Sequence, residues 1–133
     1  MIKGERSLII DTGMNRIECE QTLKYALAKL DIDLEKTDLF ITHMHADHSG
    51  LIGKLSTPQS IVYFTKEDAP YILGTNWEEF WLEEANYAKK FGFPIDSLSN
   101  AIKKHPGYKY ALRGNLLSKI SYVEDQQVLN YMY

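Results

Sequence analysis

Three of the four histidines in this 133-residue chain, His43, His45 and His48, fall within six residues, and Asp47 stands directly against the last of them. Ordinary folding has no use for imidazoles at this density. A metal site has, because neutral imidazole and carboxylate are the common nitrogen and oxygen ligands of zinc and related divalent ions. If the loop leaves a strand, alternate side chains share a side, so His43 and His45 face one way and Met44 the other. Ala46 is small enough for a tight turn, after which Asp47 and His48 sit in the first turn of a helix. One tetrahedral ion cannot readily use all four groups from so short a span. The natural division is two ions, with His43 and His45 on one and Asp47 and His48 on the other. Two ions about 3.5–4 Å apart would clamp a hydroxide as nucleophile, and Asp47 is placed to orient it and take its proton. Zinc is the expected metal, with iron or manganese as alternatives.

The elements that must position this loop can be read around it. Lys3-Gly4-Glu5-Arg6 reads as a turn and residues 7–10 as a buried strand, broken by Asp11-Thr12-Gly13. The turn implies a hairpin partner, for which only Met1-Ile2-Lys3 is available. Residues 15–30 carry a helical pattern with Ile17, Leu23, Ala26, Leu27 and Leu30 on one face. A polar connection over 31–37 leads into a strand at 38–42, which runs straight into the histidines. Asp47 and Ser49 are good helix caps before a short helix at 51–55, and residues 60–64 read as a third strand. Beyond it Thr65 and Asp68 suit a capped helix start. Residues 76–91 and 94–104 then read as helices, the second stopped by Pro106-Gly107. Residues 121–124 and 128–131 read as two strands around an Asp-Gln-Gln turn.

Composition narrows the class. A net charge of −3 without a large like-charged block, and hydrophobic and charged fractions of 44% and 25%, describe an ordinary globular domain. No basic patch suggests nucleic acid or an anionic membrane, and no apolar run is long enough to span a bilayer. Cys19, the single cysteine, cannot form an internal disulfide, which fits a reducing cytoplasm. It is expected to be a small core or half-buried residue.

The stretch His43-x-His45-x-Asp47-His48, following Thr42 and preceding Ser49-Gly50, resembles the signature loop of the metallo-β-lactamase superfamily. Leu8-Ile9-Ile10-Asp11-Thr12-Gly13 is similar to that family's upstream strand and turn. The resemblance implies an α/β fold, here part of a four-layer αββα sandwich with a helical insertion after the third strand. It divides the chain into a core with the metal loop (1–64), the insertion (65–120) and the start of further strands (121–133). It also implies metal-assisted hydrolysis of an ester, lactone, thioester, amide or phosphoester in a small-molecule substrate. Asp11 and Thr42 would support the ligands from behind without binding metal themselves.

The family's remaining ligands, a third histidine for the first ion and an aspartate and a histidine for the second, come later in the chain than the loop. Here only His105 remains, in a His105-Pro106-Gly107 turn that resembles the family's third-histidine turn but follows a helix; the residue-level expectation is a polar group closing that helix. The chain is therefore expected to be truncated, and alone to be inactive or to bind metal weakly. Two rivals stand beside the hydrolase. One is a non-catalytic metal-binding fragment. The other is a di-iron redox protein on the same scaffold, against which His45 argues, since those members replace the middle histidine by glutamate. The aromatics Trp77, Phe80, Trp81, Tyr87 and Phe91 fit either a core face or the wall of a substrate pocket. Glu78, Glu79, Glu83 and Glu84 read as a solvated face, and an uncovered sheet makes self-association an expectation.

Overall fold

A computed structural model describes residues 1–75, 77–111 and 116–130, with the backbone alone at Trp77 and Ile95. Four runs rich in β-branched and aromatic residues become strands: β1 (Ser7–Ile10), β2 (Thr37–Phe40), β3 (Ile61–Thr65) and β4 (Lys119–Val123). They form one all-parallel sheet in the order β1-β2-β3-β4. Parallel neighbours require crossover connections, which the helices supply. α1 (Ile17–Lys29) joins β1 to β2, while α2 (Ala46–Ser49) and α3 (Ile52–Leu55) join β2 to β3. α4 (Ala69–Ile72), α5 (Trp77–Lys90), α6 (Ile95–Lys104) and α7 (Pro106–Tyr110) lie between β3 and β4. The fold is thus mixed α/β with a parallel sheet, as part of a metallo-β-lactamase-type sandwich would be.

Alternate strand residues make the core. Ile9, Leu39, Ile41, Val62 and Phe64 share one face and pack against Leu27 of α1, Ile52 and Leu55 of α3, and Ala69 and Ile72 of α4. The opposite face is less covered, and Ile10 there is 45% exposed. At the start of the sheet a buried Asp38 carboxylate takes both arms of the Arg6 guanidinium and the Ile61 amide. This pairs the entrances of β1, β2 and β3 through one side chain. The N-terminal hairpin is present in its shortest form, a single antiparallel bridge between Ile2 and Leu8 with two 2.8 Å bonds.

Several expectations change. α1 presents Cys19, Leu23 and Leu27 to the core at four-residue spacing, whereas Ile17 is 60% and Leu30 49% exposed and Ala26 also faces solvent. Cys19 is half-buried, as expected. The connection 31–37 contains a 3-10 turn at Leu34–Lys36, capped by the Asp33 side chain accepting from the Glu35 amide. β2 starts at Thr37 and ends at Phe40, so Ile41 and Thr42 belong to the loop. Asp47 lies inside α2 rather than capping it, and Ser49 instead turns its hydroxyl back onto the Met44 and His45 carbonyls. The proline of Pro106-Gly107 opens α7 rather than only ending α6, since proline suits a first helical turn. β4 starts at Lys119. The second expected strand is absent over 128–130, with Tyr131 outside the described residues, as are Asn76 and the last two residues.

Candidate metal centre

The register sets the site. Ile10 and Phe40 are level across β1 and β2, and the Asp11 amide extends the pairing by donating to the Phe40 carbonyl at 2.8 Å. Asp11 and Thr42 therefore emerge side by side at the carboxyl ends of two neighbouring parallel strands, where open α/β sheets bind ligands. Asp11 adopts a left-handed backbone (φ 59°), which a short polar side chain tolerates. This turns its carboxylate back into the loop.

The carboxylate then organises the histidines. Asp11 Oδ1 accepts the Thr42 amide at 2.9 Å, the Thr42 hydroxyl donates to the same carboxylate at 2.9–3.0 Å, and His48 Nδ1 lies 2.9 Å from Oδ2. Burial alone would raise the Asp11 carboxyl pKa, but these bonds, led by the Thr42 amide and then His48, hold it below the ordinary carboxylate value. An ionised carboxylate can only accept, so His48 Nδ1 carries a proton. The Thr42 hydroxyl spends its one proton on Asp11, so His43 Nδ1, 3.1 Å away, must be the donor to Thr42. Through one carboxylate and one hydroxyl, both His43 and His48 are fixed in the tautomer that leaves Nε2 with a free lone pair when the ring is neutral.

Those Nε2 atoms each face a further ligand-type group. His43 Nε2 lies 3.0 Å from His45 Nδ1, and His48 Nε2 lies 3.5 Å from Asp47 Oδ2. Two ligands on one tetrahedral zinc stand about 3.3 Å apart, given Zn–N distances near 2.05 Å. The donor chemistry thus suits a cation at each pair. The two pairs adjoin, since the His43 and His48 rings are 4.0 Å apart between centroids. Asp47 and His45 are exposed, while His43 and His48 are half-buried. Among the described residues no three metal-ligating side chains gather into one group.

The loop's backbone is clamped from beneath. Thr12, buried, gives both its amide and its hydroxyl to the His48 carbonyl, at 2.7 and 2.8 Å, and accepts the Leu51 amide. Gly50 sits where three segments cross: a Cβ there would stand 2.5–2.7 Å from the Ala46 carbonyl, the Asn15 amide and the Tyr110 carbonyl. No other residue fits.

A sequence profile of the metallo-beta-lactamase superfamily matches residues 1–116. The chain belongs to the metallo-β-lactamase superfamily. It is similar to a probable metallo-hydrolase, YqjP of Bacillus subtilis (strain 168), at 28% identity over 102 residues. The match covers 73% of this chain and 31% of that protein, so the chain spans about a third of the length of this curated relative. No solved structure matches the chain significantly.

His105 lies away from the Asp11 network. It links α6 to α7: its amide closes α6 on the Ile102 carbonyl at 3.0 Å, as expected of this position, and its Nδ1 accepts the Gly107 amide at 3.1 Å and so also caps the start of α7. Its ring contacts Trp81, 5.1 Å between centroids. Phe80 and Trp81 turn inward toward the histidine loop, whereas Tyr87 and Phe91 pair with each other in solvent. The aromatic stripe therefore divides in two, with the Trp77 side chain outside the description. Glu78, Glu79, Glu83 and Glu84 are all exposed. Sequence reasoning missed Thr12 and the Arg6–Asp38 pair. Neither has a spacing signal, because each acts on a segment more than thirty residues away.

Proposed function

We propose that this chain carries the metal-binding loop of a metal-dependent hydrolase acting on a small-molecule ester, lactone, thioester, amide or phosphoester. His43 and His45 would hold one ion, most simply zinc, and Asp47 and His48 a second. The observation that carries the reading is the Asp11–Thr42 network, which turns the Nε2 atoms of His43 and His48 toward the other two donor groups, His45 and Asp47. Divalent metal at such a site supplies an acidified water and polarises the bond to be cleaved. The chain's own residues do the rest. Asp11 holds His48 and, through Thr42, His43 in register. Asp47, exposed beside them, is the carboxylate available to accept a proton from the attacking water. Thr12 and Gly50 keep the loop from shifting.

Each proposed ion has two protein donors among the described residues, against the three plus water of a catalytic zinc. On this reading the chain alone binds metal weakly and turns over little, and the third donors come from elsewhere in the active protein. The membrane is not part of the reading: no helix among the described residues is long and apolar enough to cross one. Calorimetric zinc titration tests the reading. Saturable binding that His43→Ala and His48→Ala each weaken at least tenfold is expected. Binding indifferent to both substitutions would exclude the assignment, as would no binding at all.

A further inference from the structure

Between the metal loop and the helices that follow β3 lies a cavity of about 80 Å³. Its walls include Met44 and His45 from the loop, Tyr71 from α4, Phe80 and Trp81 from α5, and His105. Ring contacts tie these walls together: Tyr71 to Phe80 at 5.2 Å, Phe80 to Trp81 at 5.1 Å, and Trp81 to His105 at 5.1 Å. The bond from the Gly107 amide to His105 Nδ1 fixes the last ring in place. The shape is thus set by mutually packed aromatics, while the Met44 thioether adapts at the floor.

Its position and chemistry say what it takes. His45 belongs both to the cavity wall and to the donor pair with His43, so an occupant here lies beside the proposed reacting centre. Among the described residues its walls are mostly aromatic and apolar, and no lysine, arginine or carboxylate lines them, so an apolar occupant is desolvated there at least cost. Its size is decisive. Pockets that hold whole ligands run to about 300–1,000 Å³, and an apolar cavity of about 150 Å³ takes benzene. Half of that admits a chain of roughly two to four carbons.

We propose that this cavity is a size-selective subsite for a short unbranched alkyl group of the substrate, adjoining the bond to be cleaved. The proposal rests on the hydrolase reading in naming its occupant part of a substrate, whereas the cavity's affinity for a short alkyl chain stands without it. The test is a titration of the chain, labelled with ¹³C at its methionine methyls, with 1-butanol and separately with benzene. The Met44 signal is assigned by Met44→Leu, and the exposed Met1 serves as reference. A saturable Met44 shift with butanol and none with benzene is expected. Phe80→Trp, which fills the cavity, should weaken butanol binding at least tenfold, and Phe80→Ala should admit benzene. No saturable shift with butanol, or equal binding of butanol and benzene by the unmodified chain, overturns the proposal without reference to any variant. Butanol binding beside zinc binding that His43→Ala and His48→Ala both leave unchanged would remove the hydrolase reading alone. Zinc binding that both substitutions weaken, with no Met44 shift, would remove the subsite alone.

Discussion

Asp11 is the residue on which the site turns. It binds no metal in this account, yet it sets the tautomers of two proposed ligands through three hydrogen bonds. Outer partners of metal-binding histidines typically carry 10–100-fold in affinity. Asp11→Ala is therefore expected to lower zinc affinity by about that factor while leaving the circular dichroism spectrum native. Calorimetry on the folded variant checks this, and unchanged affinity would show that the network is not what orients the ligands. The histidine loop was legible because its residue types are rare and close together. The part played by Thr42 in fixing His43 was not, because it depends on which oxygen keeps a proton. Thr12 was equally hidden, being one hydroxyl in a turn whose partner lies thirty-six positions on.

At the scale of elements, the loop is held by what passes beneath it and by the way the strands enter the sheet. Gly50→Ala forces a methyl against three backbone atoms. Overpacking commonly costs up to about 3 kcal/mol, and rigid backbone on three sides puts this case at that end. Urea denaturation should show a loss of that size; a change below 1 kcal/mol would mean the crossing relaxes easily. At the other end of the sheet, Arg6→Ala leaves the buried Asp38 carboxylate with the Ile61 amide but without its guanidinium. A loss of about 3 kcal/mol is expected, measured the same way. Strands were readable from their β-branched runs, and all four lie within a few residues of their expected places, while the further strand expected from 128 is absent over 128–130. The face of α1 was only half readable. Ile17 and Leu30 fit a helical stripe, but they stand at the two ends of α1, beyond Cys19, Leu23 and Leu27, the residues that reach the core. Pro106-Gly107 was read as a stop because proline ends one helix as readily as it opens the next. Which of these occurs depends on whether the preceding residue can cap, and His105 can.

Across the whole molecule, burial is uneven. The core gathers around β1, β2 and β3 with α3 and α4, whereas no described residue of α5 belongs to it and α6 contributes only Leu98 to the buried set. Local opening should follow that distribution. Hydrogen exchange is expected to leave β2 and β3 amides protected long after those of α5 and α6 have exchanged. Equal protection would place the helical segment within the cooperative core. The overall class was legible because the loop and its flanking strand carry the family's pattern. The cavity was only partly legible: Phe80 and Trp81 belong to a stripe that fitted a pocket wall, but Tyr71 and His105 join them from more than thirty residues apart without shared periodicity. The central claim is that the loop holds metal through two adjoining pairs. The measurement that bears on it most directly is zinc stoichiometry by calorimetry, for the chain and for His43→Ala and Asp47→Ala separately. Two sites, one lost with each substitution, is the predicted result. A single site abolished by either substitution, or no zinc bound by the unmodified chain, would contradict it.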